Sequence, residues 1–516
     1  MSASVSRNAA DPYEAGLRLA DQGRHADAVA EFERALALRP DDARVLFALG
    51  RTADAIGHGG AAESFFRRVL ASEPDRLEAL VNLANLMRKS ARTGDIVALL
   101  KPALERNPER AELWLTLGTA LREAGDLATA ETFYRESLRL QPSYGAAMGN
   151  LADLLADRGE VDEAFALYDR VLAADAQNAQ ARLNRAVLLL MRGELKKGWR
   201  DYEHRLKIKD RAVVADHGLP AWDGKARERK NVLVTAEQGI GDQIMFASLI
   251  PELQTMLARR GGKVILEAEP RLVPLFARSF EGVAVTAARL ESRGGTTLAH
   301  YDWLKRGEAH AAIALGSLAR IMRGDVASFP KPHAFLKADA AETARWTQWL
   351  KAHGPGPFAG LCWRSGKVSG LRAAQYAPLE AWAEFIRDMP ATPVSLQYDA
   401  QASELETLRR LSGRTILIPP ELDQKQEIDR TSAMIATLDA VISAPTAVSW
   451  MAAGLGMPTF KILYNNSWTS FGEDYEPFAP SCRCMMPNTS GDWSDAFAQT
   501  RAALSSLPMR RAEPVH

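Results

Sequence analysis

Small and large side chains recur with a fixed period along the first part of the chain. Pro40, Pro74, Pro108 and Pro142 are each 34 residues apart. Between them, small residues that permit close helix approach and large apolar residues recur at constant offsets. The small set is Gly16, Gly50, Ala84, Gly118 and Ala152, and the large set is Phe32, Phe66, Leu100, Tyr134 and Tyr168. The pattern predicts helix pairs that stack, because one pair alone could not bury its apolar face.

This 34-residue period resembles that of tetratricopeptide repeats. Five repeats fit, and a sixth around residues 179–209 carries Gly198-Trp199 where the ordinary repeat has a small residue, so we expect a capping unit. The resemblance implies an all-α solenoid over 11–209, after a disordered N-terminus at 1–10. In this family, asparagines on successive repeats often line a groove that holds a peptide. Asn150 and Asn184 are 34 residues apart and are therefore candidate acceptor-binding residues.

A different pattern begins after residue 230, where short apolar runs alternate with helical stretches. Glycines and a charged run at 210–230 predict a linker. The alternation that follows is typical of parallel sheets covered by helices, and we expect two Rossmann-like lobes at 231–335 and 336–506, with a tail at 507–516. The expected strands are 231–236, 263–267, 283–285, 312–315, 358–363, 393–397, 415–418, 440–443 and 459–464, with helices at 243–257, 271–279, 340–352 and 447–455.

The first predicted strand leads into the turn Glu237-Gln238-Gly239-Ile240-Gly241-Asp242. Glycines let a ligand approach the backbone, and the following helix start offers unpaired amide hydrogens. Gly239 and Gly241 are therefore candidate donor-binding residues. The turn lacks the third glycine of the dinucleotide fingerprint, so it is a weak signal by itself.

Polar residues also follow two strands of the second predicted lobe. Arg364 and Lys367 place two cations after the strand 358–363, where open sheets bind ligands. Ser443 and Thr446 lie where the strand 440–443 meets the next helix, and hydroxyls and amides there can bind a phosphate. A simple N-cap is the alternative role for Thr446.

The segments 237–244, 361–364 and 442–448 together resemble glycosyltransferases of the heptosyltransferase-like GT-B group. With repeats in front, the chain resembles bacterial tetratricopeptide-repeat glycosyltransferases, in particular the alphaproteobacterial flagellin-modifying type. The resemblance implies a metal-independent protein O-glycosyltransferase. It would transfer a nonulosonic sugar of the pseudaminic acid type, from a CMP-linked donor, to Ser or Thr of flagellin held by the repeats. No cofactor is implied beyond this nucleotide-sugar donor.

The same resemblance assigns roles to single residues. Asp242 occupies the position of the catalytic base, and Glu237 is a second candidate. At a helix start we expect the Asp242 carboxyl to stay ionised with lowered basicity. A plain helix-capping role is the alternative for Asp242. The implied donor-binding residues are Gly239, Gly241, Trp363, Arg364, Lys367, Gln397, Tyr398, Ser443, Thr446 and Ser449.

One turn departs from the family pattern. The family commonly has Asp-Thr-Ala-x-x-His, whereas this chain has Pro445 for the aspartate and Ser449 for the histidine. Either the donor differs from a nucleotide-diphospho sugar, as a CMP sugar does, or the site has lost activity. Two alternatives therefore stay open: a non-catalytic scaffold for a flagellar or export partner, and a transferase acting on a lipid-linked or soluble glycan.

Composition narrows the choice of partners. The chain has 64 basic and 64 acidic residues, which does not indicate binding to nucleic acid or to an anionic membrane. Its three cysteines, Cys362, Cys482 and Cys484, cannot form a disulfide framework and have no further ligands at metal-site spacing. No apolar segment suits a signal peptide or a membrane span, so we expect a cytoplasmic protein.

Overall fold

The computed structural model describes residues 11–208, 213–293, 296–330, 334–366, 375–488 and 491–507. The chain forms two compact units, Met1–Ala174 and Asp175–His516.

The first unit is built from helix pairs that follow one another along the chain. Its helices are α1 Pro12–Asp21, α2 His25–Leu38, α3 Ala43–Ala55, α4 Gly59–Ser72, α5 Leu77–Lys89, α6 Thr93–Arg106, α7 Ala111–Glu123, α8 Leu127–Leu140, α9 Gly145–Asp157 and α10 Val161–Ala174. Each odd-numbered helix packs on the next even-numbered one, and neighbouring pairs also pack on each other. The predicted all-helical solenoid is therefore confirmed.

The small and large positions of the sequence period face each other within each pair. A Cβ atom added to Gly16 would lie 2.5 Å from Phe32 Cε1, and one on Gly50 would lie 2.7 Å from Phe66 Cε1. Phe32 and Phe66 are fully buried. The glycines are thus required because the backbone of one helix lies directly against the ring of its partner.

The second unit begins with one more helix pair, α11 Ala179–Met191 and α12 Leu195–Tyr202, followed by a 3-10 turn at Glu203–Lys207. Trp199 is 1% exposed, and its ring packs edge-to-face against Phe246, Phe471 and Phe478, with centroids 5.7 to 6.3 Å apart. Aromatic edge contacts of this kind add to the apolar area that they bury. The last pair is therefore part of the core of the second unit.

A four-stranded parallel sheet follows, in the order β4-β3-β2-β7. Its strands are β2 Val232–Thr235, β3 Val264–Glu267, β4 Ala284–Thr286 and β7 Ala311–Ala314, and its helices are α13 Ile240–Ala247, α14 Ile250–Ala258, α15 Val273–Ser279 and α16 Leu318–Met322. The single helix predicted for 243–257 is wrong. Pro251 lies in the first turn of α14, where its missing N–H is tolerated, and the chain makes two helices instead.

A small three-stranded sheet lies beside this lobe. Its strands are β1 Val213–Asp216, β5 Arg289–Arg293 and β6 Thr296–His300, with β6 in the middle. Backbone bonds between residues 220–222 and Ala312 extend the pairing to β7, with N···O distances of 2.8 and 2.9 Å. The prediction of a plain linker over 210–230 is therefore wrong for 213–222. A four-residue strand on a small sheet leaves too short a pattern to recognise.

The second lobe has a five-stranded parallel sheet in the order β12-β11-β10-β8-β9. Its strands are β8 Phe358–Cys362, β9 Thr392–Ser395, β10 Ala440–Ser443, β11 Thr459–Ile462 and β12 Cys482–Met485, and its helices are α17 Ala340–Lys351, α18 Leu379–Arg387, α19 Ala402–Ser412, α20 Ile428–Ile435, α21 Ala447–Gly454 and α22 Ser494–Ser506. The run predicted as a strand at 415–418 makes only an isolated bridge between Leu417 and Val394. Mixed helices and parallel sheets are thus confirmed for the second unit.

The close helix approach generates a testable prediction. We expect Gly50→Ala to destabilise the first unit by about 1–3 kcal/mol, because the new methyl overlaps the Phe66 ring. Gly149→Ala is the matched control, since Gly149 is also helical but has nothing within 4 Å of an added Cβ. That substitution should leave stability unchanged or raise it by up to about 1 kcal/mol. Hydrogen exchange across residues 11–174 during denaturant titration measures both, and equal effects would contradict the packing described here.

Candidate functional site

A cavity of about 670 Å³ lies at the carboxyl ends of β2 and β3 in the second unit. Its walls combine carboxyl groups with apolar side chains. The lining residues are Leu183, Asn184, Val187, Tyr202, Arg205, Leu206, Val213, Ala236, Glu237, Gln238, Gly239, Asp242, Gln243, Glu267, Ala268, Glu269, Pro270, Ala288, Leu290 and Trp468. The sheet explains this position, because the carboxyl ends of parallel strands are where such sheets bind ligands.

Glu237 is held in an ion pair at the cavity wall. Arg205 Nη2 lies 2.8 Å from Glu237 Oε1, and the Gly316 N–H donates to the same oxygen at 3.1 Å. The two charged side chains are only 6% and 8% exposed. A Cβ on Gly316 would lie 2.9 Å from Glu237 Oε1, so this close approach needs glycine. Glu237 therefore positions the arginine and the turn.

Asp242 also lines the cavity, in the first turn of α13. Its carboxyl accepts the N–H of Gly239, the residue that precedes the helix. Burial and the nearby Glu237 carboxylate raise the pKa of Asp242 to about 6, against the lowering effect of Arg205 and of that backbone bond. The sequence-based expectation of lowered basicity is therefore wrong. Desolvation outweighs the helix start, because the carboxyl faces apolar walls and a second carboxylate.

Glu267, which no sequence motif indicates, is a further carboxyl of this cavity. It ends β3, is 3% exposed, and Tyr301 Oη and the Ala236 N–H donate to its Oε2 at 2.6 and 3.2 Å. Burial raises the pKa of Glu267 to about 7. The available signal was an acid closing the otherwise apolar run 264–267. Only the strand order shows that this acid adjoins the turn after β2.

Amide side chains fix the rim of the cavity. Gln243 Nε2 donates to the Gln238 carbonyl at 2.7 Å, and Gln243 Oε1 accepts the Glu269 N–H at 2.9 Å. Gln238 Nε2 in turn donates to Tyr202 Oη at 2.7 Å. The turn of the first lobe is thus tied both to β3 and to the end of α12.

The two asparagines predicted to bind an acceptor have different surroundings. Asn184 lies on α11 and lines the cavity, and its Oδ1 accepts Gln180 Nε2 at 2.6 Å. Asn150 lies on α9 of the first unit and donates from Nδ2 to Thr119 Oγ1 at 3.0 Å. Asn184 is therefore a wall residue of the same cavity that holds Asp242.

The donor-binding candidates of the second lobe form a separate cluster around Gln397. Its Oε1 accepts the N–H groups of Trp363 and Arg364, both at 3.0 Å. The Arg364 guanidinium pairs with Glu404 at 2.5 Å and with Asp399 at 2.9 Å. Two carboxylates thus already neutralise this cation, and a phosphate would have to compete with them.

The remaining candidates of this lobe lie on nearby turns. Tyr398 Oη accepts the Gly366 N–H. Thr446 Oγ1 accepts the Val448 N–H at 3.3 Å as an N-cap, and Ser443 and Ser449 donate to backbone carbonyls at 2.6 and 2.8 Å. These three hydroxyl residues are at most 9% exposed. Lys367 lies outside the described residues.

Gly241 belongs to the packing between the two lobes. A Cβ on this residue would lie 3.5 Å from both Ala447 Cα and Trp450 Cδ1, at the start of α21. The glycine turn after β2 and the turn after β10 therefore meet, and they pack directly against each other at Gly241. The open space lies beside Gly239 and Asp242 instead.

Within the part of the chain that the structure describes, no cluster of three or more His, Cys, Asp or Glu residues suits a metal ion. The described residues also contain no helix with the length and apolar character needed to cross a membrane.

Comparison with known proteins assigns the N-terminal part. Two tetratricopeptide repeat models match, one at residues 19–86 and the other at 97–145, 118–179 and 150–198. The chain thus contains tetratricopeptide repeats, and the last match includes α11.

A relative and two solved structures resemble this chain. Protein FlbA of Caulobacter vibrioides is 34% identical over 310 residues, which are 60% of this chain and 52% of FlbA, so the match spans about half the length of that relative. TTC0263, a thermophilic TPR protein of Thermus thermophilus, is 27% identical with a TM-score of 0.31, covering 35% of this chain and 97% of that one. The type IV pilus biogenesis factor PilW is 20% identical with a TM-score of 0.34, covering 38% and 90%. These scores support no inference about function.

The buried carboxyl of Glu267 predicts a pH-dependent stability. Its folded pKa of about 7 exceeds the ordinary 4.5, so the folded state holds the proton more tightly. The free energy of unfolding should therefore fall as pH rises from 4.5 to 7, by up to about 3 kcal/mol from this group. Glu267→Gln can keep an oxygen for Tyr301 and Ala236 and removes the charge. We expect it to be more stable than the wild type at pH 8 and similar at pH 4.5.

Urea unfolding at a series of pH values measures this difference. Glu228→Gln is the control, because the Glu228 side chain is 74% exposed, and its stability should follow that of the wild type. A constant offset between Glu267→Gln and the wild type across this pH range would contradict the burial argument.

Proposed function

We propose that this chain is a cytoplasmic, flagellum-associated tetratricopeptide-repeat protein whose second unit is a glycosyltransferase of the GT-B type acting on a protein. The repeats and the similarity to Protein FlbA support the flagellar association. The proposed reaction transfers a nonulosonic sugar of the pseudaminic acid type, from a CMP-linked donor, to Ser or Thr of flagellin. It needs no metal ion.

The observation that carries the proposal is Asp242 in a cavity at the carboxyl end of a parallel strand. In the proposed step, the acceptor hydroxyl oxygen attacks the anomeric carbon and its proton passes to the Asp242 carboxylate. The bond from that carbon to the phosphate oxygen breaks, and its electron pair leaves with the phosphate. With a pKa of about 6, Asp242 is mostly ionised at neutral pH and is a stronger base than an ordinary aspartate.

Glu237 and Arg205 are assigned a positioning role in this proposal. Their ion pair joins the 3-10 turn after α12 to the turn that carries Asp242. The Glu237 carboxylate also helps to raise the pKa of Asp242. Replacing either partner would leave a buried charge without compensation, which is costly.

The wall formed by α11 supports a protein acceptor. Leu183, Asn184 and Val187 come from the last repeat and line the cavity that holds Asp242. A side chain entering this cavity would therefore contact the repeat region and the proposed base together. We assign the acceptor hydroxyl to this cavity.

The nucleotide is assigned to the second lobe. Four carboxyl groups, those of Glu237, Asp242, Glu267 and Glu269, line the cavity, and the only described cation there, Arg205, is paired. Such walls disfavour a phosphate. The second lobe offers Arg364 and Gln397 at the carboxyl end of its sheet, and the Arg364 cation can exchange a carboxylate partner for a leaving phosphate.

The base assignment predicts the effect of one substitution. Asp242→Asn should slow transfer by about 100-fold or more, because an amide cannot take the proton. The measurement is the intact mass of flagellin after reaction with the full chain and a CMP-linked nonulosonic sugar. Glu228→Gln, an exposed carboxyl on the same unit, is the control and should transfer at the wild-type rate. Unchanged transfer by Asp242→Asn would remove Asp242 from the mechanism.

A pH dependence follows from the same group. Asp242 must be deprotonated to act as a base, and its pKa is raised to about 6. We therefore expect kcat/KM to fall as pH decreases through about 6. Initial rates between pH 5 and pH 8 test this, and a rate that stays constant down to pH 5 would contradict it.

A non-catalytic scaffold is the second candidate, and one observation favours it. Gly241 packs directly on the start of α21, and Arg364, Ser443, Thr446 and Ser449 already bond to neighbouring groups. We expect such contacts in a lobe that binds no nucleotide, because its polar groups are then satisfied by the protein itself.

Calorimetry with CMP, UDP, GDP and ADP separates the two candidates. The enzyme proposal expects binding of at least one nucleotide, with affinity reduced about tenfold or more in Arg364→Ala. Arg409→Ala is the control, since Arg409 also pairs with a glutamate but is 61% exposed. If the chain is a non-catalytic scaffold, the wild type should bind none of these nucleotides but should still bind flagellin.

A further inference from the structure

Glu267 differs from the other carboxyls of the cavity in how its two oxygens are used. Tyr301 Oη and the Ala236 N–H both donate to Oε2, at 2.6 and 3.2 Å. Oε1 has no hydrogen-bond partner among the described residues. Since both fixed donors occupy one oxygen, a proton on this carboxyl belongs on Oε1, which is available to the cavity.

We propose that Glu267 binds substrate as a neutral carboxylic acid, donating a hydrogen bond from Oε1 to an oxygen of the molecule in the cavity. The inference rests on the proposed glycosyl transfer and adds a specificity-determining residue to it. The ligand class is an uncharged oxygen acceptor, such as a hydroxyl, an ether or a peptide carbonyl.

The surroundings of Glu267 favour its neutral form. Ala268, Ala288 and Leu290 supply apolar walls, and burial raises its pKa to about 7. Burial and the nearby Glu267 carboxyl also raise the pKa of Tyr301 strongly, so that residue keeps its proton and stays a donor. The charged and titratable groups of the other walls are Arg205, Glu237, Asp242, Glu269 and Tyr202.

Two further groups act from outside the cavity. The His217 ring packs against Tyr301 at 5.5 Å, and burial lowers the pKa of His217, which favours the neutral form of this ring. Arg205 is engaged by Glu237, so the described residues that line the cavity include no unpaired cation for Glu267. The cavity therefore holds a proton acceptor, Asp242, and a proton-bearing donor, Glu267.

Asp242 and Glu267 together limit the pH range in which transfer should be fast. Asp242 must lose its proton near pH 6, and Glu267 must keep its proton up to about pH 7. The transfer rate should therefore be bell-shaped, with Glu267 responsible for the alkaline limb.

Two substitutions of Glu267 test the role of the proton. Glu267→Gln offers a carbonyl oxygen in place of Oε2 and an N–H donor in place of the protonated Oε1. We expect transfer to flagellin within about threefold of the wild type at pH 6.5, with the alkaline limb abolished. Glu267→Leu removes the donor and should lose about tenfold or more. A Gln variant as impaired as the Leu variant, while the wild type is active, overturns the inference and leaves the proposed function standing.

Tyr301→Phe distinguishes a role of the Glu267 proton in transfer from a purely structural role, because a purely structural role would leave the pH profile of transfer unchanged. The Tyr301 hydrogen bond lowers the pKa of Glu267, so its removal should shift the alkaline limb to higher pH. An unshifted limb overturns the inference. Thermal unfolding checks each variant, and if Glu267→Leu does not fold, the pH profiles of the Gln and Phe variants decide. A wild-type chain that binds flagellin but transfers no sugar removes the proposed function and this inference with it.

Discussion

Desolvation of two carboxyl groups at the ends of adjacent parallel strands determines the chemistry available in this cavity. Asp242 follows β2, and Glu267 ends β3. Apolar walls raise both pKa values, and neither carboxyl forms an ion pair with a described residue. A buried carboxyl without a cation is costly to ionise, and proteins retain such groups mainly at functional sites. Because ionisation of both groups is costly, their pKa values lie near 6 and 7. Between these values Asp242 can accept a proton while Glu267 can still donate one.

The last helix pair links this chemistry to the repeats. Trp199 and Tyr202 bring α12 against Phe246 of the first lobe and against Trp468 and Phe471 of the second lobe. The neighbouring helix α11 supplies one wall of the cavity. The Arg205–Glu237 pair continues the same connection into the turn that carries Asp242. A repeat region that only recognised a partner at a distance would not need its final pair inside the core of the second unit. In the reaction proposed above, the reacting side chain of the acceptor would enter beside α11.

The sequence predicted the parts of this molecule that are periodic. A 34-residue period was enough to identify the helical repeats, because the contact of Gly50 with Phe66 has its equivalent in other pairs. Apolar runs located β2, β3, β4, β7, β8, β9, β10 and β11, since buried parallel strands are apolar throughout. They did not locate β12, in which the exposed Arg483 interrupts the apolar run. Apolar periodicity alone predicts one helix over 243–257, whereas Pro251 lies in the first turn of a second helix. The strand β1 was missed because four residues on a small sheet carry little pattern.

Contacts between distant residues limited the prediction of the site. Glu267 could not be placed beside Asp242 without the strand order, and the partners of Arg364 lie 35 and 40 residues further along the chain. The pKa of Asp242 was misjudged because local sequence shows the helix start but not the surrounding walls.

Titration of the Asp242 and Glu267 carboxyls shows directly whether desolvation raises both of their pKa values. Carbon-13 NMR of the full chain labelled at Asp and Glu side chains, assigned by the Asn and Gln variants, measures both titrations. If desolvation raises both values, the midpoints should lie near 6 for Asp242 and near 7 for Glu267. Midpoints at or below the ordinary values of 3.8 and 4.5 would show that burial does not raise these pKa values.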